Sequence, residues 1–67
     1  MENSNRLIRR PEVERRVGLK RTAIYDWIKC GKFPRPVRLS STAVAWVEAE
    51  IDKWIEDRIS EDRAVGE

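Results

Sequence analysis

A chain of 67 residues has room for one domain around one small core, and 40% hydrophobic against 39% charged residues describes a soluble globular unit. Histidine is absent and Cys30 is the single cysteine, which excludes Ser-His-Asp and Cys-His catalysis, an intramolecular disulfide and a cysteine-based zinc site. The net charge of +2 hides an asymmetry: residues 1–38 carry 11 Lys/Arg against 4 Asp/Glu, whereas residues 39–67 carry 3 against 8.

Such a split marks a basic surface for a polyanion, with an acidic C-terminal end facing away. Along the chain, residues 1–5 are polar and expected to be disordered. Nothing in the opening run MENSNRLIRRPEVE has the apolar character of a secretory signal, and no stretch reaches membrane-spanning length. A reducing cytoplasmic compartment is therefore expected, with no membrane association. Arg6-Leu7-Ile8-Arg9 reads as a brief strand or a strap over the core.

Pro11 suits the first turn of a helix, Glu12 and Glu14 favour its N-terminal end, and Val13 and Val17 give it a narrow apolar stripe. Gly18 ends it, since glycine tolerates the left-handed conformation of a helix stop. After Leu19 a second helix is predicted over about residues 20–30, with Ala23, Ile24, Trp27 and Ile28 on one face and Gly31 closing it. Short helix, glycine-containing turn and longer helix with a basic outer face form the pattern of a helix-turn-helix.

Phe33-Pro34-Arg35-Pro36 holds the chain extended, and residues 37–46 alternate around Ser40-Ser41-Thr42 as a small β-hairpin. Ile51, Trp54, Ile55 and Ile59 then recur at helical spacing from about Ala49 to Glu61. Residues 63–67 are expected to fray, leaving a single domain over residues 6–62. The expected class is mainly α with a small β-hairpin.

Several of these stretches, taken in order, carry a family resemblance. The opening RLIRRPEV, the helix entry GLKRTAIY, the connector GKFPRPVRL and the run AVAWVEAEIDKWI are similar to AlpA-type regulators of prophages and integrated elements. These are relatives of excisionases and of the MerR-superfamily DNA-binding domain, and the likeness covers roughly residues 6–59. It implies a winged helix-turn-helix, with the second helix in the DNA major groove, the hairpin as a wing, and transcriptional control rather than catalysis. Two departures stand out. Lys20 stands where the family usually has serine, so a side-chain N-cap is lost. The hairpin turn is Ser40-Ser41-Thr42 where glycine and a basic residue are usual, which weakens the expected grip of the wing tip on phosphate.

Double-stranded DNA is accordingly the expected partner, bound by a homodimer or a cooperative array, with no cofactor, metal or small-molecule ligand. Arg21, Thr22 and Tyr25 are candidates for base contact, because arginine donates two bonds to guanine while threonine and tyrosine reach phosphate or a thymine methyl. Lys20 and Lys29 are candidates for phosphate. Lys32, Arg35 and Arg38 are candidates for clamping the backbone from the connector and wing. Asp26 is awkward on the same helix, and either pairs with an arginine or accepts from a cytosine amino group. Arg9, Arg10, Arg15 and Arg16 surround the first helix and read equally well as solvated surface. Trp27, Trp46 and Trp54 read as core rather than as stacking platforms for bases. Glu56, Asp57, Glu61 and Asp62 read as a solvated helix face rather than an ion site. Two other functions share these features: an architectural recombination directionality factor, and an adaptor whose acidic last helix binds a protein.

Overall fold

A computed structural model of the chain describes residues 6–66. The expectation for residues 1–5 lies outside the described residues. The elements follow in the order β1 (Leu7–Ile8), α1 (Arg10–Val17), α2 (Arg21–Lys29), β2 (Val37–Arg38), β3 (Val44–Val47) and α3 (Glu48–Gly66).

Local chemistry explains most of the boundaries. Pro11 occupies the first turn of α1, and the Arg9 carbonyl accepts from the amides of Glu12 and Val13, both at 3.1 Å. At the other end Gly18 takes φ 75° and its amide donates to the Glu14 carbonyl at 2.9 Å, relieving an orphan acceptor of the last turn. Lys20 begins α2 in an extended conformation with no side-chain cap, as its long ammonium stem predicts. The far end of α2 closes as a Schellman turn. Gly31, at φ 75°, donates to the Ile28 carbonyl at 3.0 Å, and the Lys32 amide donates to the Trp27 carbonyl at 2.8 Å.

The predicted hairpin forms as β2 and β3, paired antiparallel with Val37 opposite Ala45 and Arg38 opposite Val44. Sequence reading left Arg6–Arg9 as strand or strap; the structure makes it a strand, with Leu7 opposite Val47 and Ile8 opposite Trp46. The sheet order is therefore β1-β3-β2, and β3 is the central strand. One more bond, from the Glu48 amide to the Arg6 carbonyl at 2.8 Å, carries this pairing into the start of α3. α3 runs past the expected end at Glu61 to Gly66, because no proline or glycine interrupts it sooner.

Ile8, Val13, Ile24, Phe33, Trp46 and Ile51 form the core, one side chain each from β1, α1, α2, β3 and α3, with Phe33 from the connector. Trp46 is fully buried at its centre, whereas Trp27 and Trp54 pack against the edge and stay half-buried. The indole of Trp46 donates to the Pro34 carbonyl at 2.9 Å, and that of Trp54 to the Lys32 carbonyl at 2.8 Å. The first bond satisfies an indole N–H that packing removes from water, the second lies at the exposed edge, and together they hold the proline-rich connector to the sheet and to α3. Val37 and Leu39 alternate with Arg38 and lie on the sheet face away from Trp46, where Leu7 and Val47 join them.

Candidate nucleic-acid interface

Burial of Ile24 fixes how α2 turns. With Ile24 inside and Ala23, Trp27 and Ile28 on the flanks, Thr22, Asp26 and Lys29 point outward, and all three are exposed. Lys20 and Arg21 are exposed at the N-terminal end of α2. Tyr25 differs from its neighbours. It is half-buried, with its ring edge-on to Trp46 at 6.3 Å and 61°, so packing fixes the ring.

That contact also relates α2 to the hairpin. Arg38 projects from the same sheet face as Trp46, by strand alternation and register, and this is the face on which Tyr25 packs. Arg38 is exposed beyond the end of the core, so a cation of the hairpin stands on the α2 side of the molecule. Arg35 is exposed between the half-buried Pro34 and Pro36, on a connector that the Trp46 indole holds down. Lys32 is set apart from these. It lines a groove of about 750 Å³ against α3, together with Phe33, Pro34, Trp54, Asp57 and Arg58.

The ion pairs sort the basic residues further. On α1, Arg10 pairs with Glu14 at 3.1 Å and Arg15 with Glu12 at 2.7 Å. Arg16 is the most engaged, reaching Glu12 at 2.8 Å, Glu48 at 3.0 Å and Asp52 at 3.5 Å. It thereby ties α1 to the first turns of α3. Among the described residues, none of Lys20, Arg21, Lys29, Lys32, Arg35 or Arg38 has a carboxylate within ion-pair distance. The positive charge of α1 is thus met within the fold, while that of α2 and the wing has no carboxylate partner among the described residues. Arg58 lies over the rings of Trp27 and Trp54, at 5.4 Å and 5.9 Å from their centroids, and also pairs with Glu61 at 3.5 Å.

The Arg16 network has a pH consequence. Its guanidinium, through the hydrogen bond to Glu12, holds that carboxyl below the ordinary value of 4.5, with the charge of Arg15 adding to the effect. The same bond, followed by that to Glu48, raises Arg16. A depressed carboxylate stabilises the fold above its unfolded value and loses that contribution as pH falls through its folded value. The melting temperature of the wild type should therefore exceed that of Glu12→Gln at neutral pH, and the gap should close below about pH 4.5. A gap unchanged down to about pH 3 would remove Glu12 from the account.

Two packed helices joined at Gly18, followed by a hairpin on the same side, define a winged helix-turn-helix domain. The chain belongs to the family described as prophage CP4-57 regulatory protein (AlpA), whose sequence profile matches residues 6–59. It is 37% identical over 59 residues to the DNA-binding transcriptional activator AlpA of Escherichia coli K12, covering 79% of this chain and 84% of that protein. It is also 42% identical over 55 residues to the uncharacterized protein ORF88 of Enterobacteria phage P4, covering 82% of this chain. The chain spans 62% of the length of that phage protein.

Proposed function

We propose that this chain is a sequence-specific DNA-binding transcriptional regulator of a prophage or integrated element, acting in the cytoplasm on double-stranded DNA. In this reading α2 lies in the major groove, with Arg21, Thr22 and Tyr25 toward base edges or nearby phosphates, and Lys20 and Lys29 on phosphate. The wing, through Arg38, and the connector, through Arg35, meet the backbone or the minor groove. Lys32 belongs to the same group by charge, at its margin. The observation that carries the proposal is the separation of charge: cations on α2 and the wing stand without carboxylate partners among the described residues, while those of α1 are paired. The name of the E. coli relative, a DNA-binding transcriptional activator, points the same way.

A nine-residue helix meets few base pairs, so an operator rare enough to matter calls for a second copy, as a dimer or as cooperating monomers. A footprint distinguishes the regulator from an architectural protein: protection at a promoter supports regulation, and tandem bent sites flanking an attachment sequence overturn it.

Two substitutions separate base reading from backbone grip at equal charge. Arg21→Ala should cost roughly 1–3 kcal/mol on the selected operator and relax preference at one base pair. Arg35→Ala should weaken operator and random duplexes about equally and reduce the salt slope by about 1. Competition binding on the operator and its single-base variants reads both. If Arg21→Ala leaves the base profile intact and Arg35→Ala alters it, the wing reads the sequence and α2 does not.

A further inference from the structure

Asp26 is the sole carboxylate between Gly18 and Val47, a stretch that carries six cations. It is exposed, and among the described residues it has no ion-pair or side-chain hydrogen-bond partner, even though Lys29 follows it by three on the same helix. By contrast Glu12, Glu14, Glu48 and Asp52 each hold an arginine. At about 100° per residue, Thr22, Asp26 and Lys29 fall within about 60° of one another and opposite Ile24, at the middle of the outward face. Only the backbone of Asp26 serves the fold, its carbonyl accepting from the Cys30 amide at 3.2 Å. The side chain contributes nothing that packing or helix capping requires.

We infer that Asp26 is a specificity-determining residue that selects cytosine in the major groove. This rests on the reading that α2 enters that groove. Against phosphate an unpaired carboxylate is repelled, so Asp26 lowers affinity for DNA in general and is favourable only where a base edge offers it a proton. Guanine presents O6 and N7 and thymine presents O4, all acceptors that repel it. Adenine offers its N6 amino group, but the adjoining N7 acceptor faces the second carboxylate oxygen. Cytosine offers its N4 amino group with only a C–H on its own ring beside it and the paired guanine O6 on one side, whereas the adenine amino group is flanked by acceptors on both sides, so cytosine is the base that fits. A lone anion at the centre of a cationic face therefore excludes more sites than it attracts, and trades general affinity for discrimination.

The test is a binding-site selection followed by competition on all single-base variants, for the wild type, Asp26→Ala, Asp26→Asn and Arg21→Ala. Because the side chain is exposed and unbonded, both Asp26 variants should fold and melt like the wild type. Asp26→Ala should bring the four bases to near-equal affinity at one position where the wild type prefers cytosine by about 10-fold, and should bind random duplex more tightly. Asp26→Asn should move the preference at that position to adenine, since an amide both accepts from N6 and donates to N7. A profile unchanged in both Asp26 variants but altered in Arg21→Ala overturns the role of Asp26 and leaves α2 as the reading helix. A profile unchanged in all three variants overturns both.

Discussion

Replacing Trp46 with alanine is expected to abolish cooperative folding, and not merely to weaken binding. The side chain is fully buried on the central strand, in the one cluster that joins Ile8, Val13, Ile24, Phe33 and Ile51. Truncating a buried tryptophan costs about 3–5 kcal/mol through lost transfer energy and the cavity left behind. The Pro34 carbonyl, which now accepts from the indole at 2.9 Å, loses its donor at a further cost of about 1 kcal/mol. A domain of this length has a total stability of only roughly 3–10 kcal/mol, so the loss takes most of it. Tyr25 loses the ring it packs against, which disturbs α2 even in molecules that remain folded. Circular dichroism during a urea titration reads the effect, and an Ala variant with the wild-type midpoint would show that the core lies elsewhere. Trp54→Ala should cost less, because Trp54 is half-buried and packs at the edge against Phe33 and Trp27.

The contrast between those tryptophans marks where the sequence could and could not be read. Spacing places Trp46 on a strand and Trp54 on a helix, and both lie beside aliphatic neighbours. Which of them is central depends on β1 pairing along the free edge of β3, a contact between residues nearly 40 apart that a two-residue strand cannot announce. Pro11, Gly18 and Gly31 were legible, because each imposes a backbone conformation by its own covalent structure. The amphipathic face of α2 was legible too, since burial of Ile24 and exposure of Thr22 and Lys29 follow from helical period alone. The link from Arg16 to Glu48 and Asp52 was not, because it joins two helices whose mutual placement is set by the sheet between them. The end of α3 lay further on than expected, since no proline or glycine stops the helix before Gly66.

For the candidate interface, residue types and charge asymmetry pointed to α2 and the wing before any geometry. What geometry added is selectivity among cations. The arginines around α1 read equally well as solvated surface or as contacts, and three of them prove to be engaged with carboxylates. Tyr25, grouped with Arg21 and Thr22 by position, proves half-buried against Trp46, so its ring serves the core whatever its hydroxyl touches.

The salt dependence of duplex binding tests the central claim most directly. If α2, the connector and the wing neutralise about 4–6 phosphates per protomer, log affinity should fall against log salt with a slope of roughly −4 to −5. Between about 50 and 200 mM salt that amounts to roughly 250- to 1,000-fold, an effect as large as any substitution proposed above. Fluorescence anisotropy with a labelled duplex, titrated across that range at constant pH, measures it. A slope in that range, with the selected operator bound more tightly than random duplex at each salt concentration, is the result expected of a sequence-specific DNA-binding protein. A slope near zero, or no duplex binding at the lowest salt, would contradict the account.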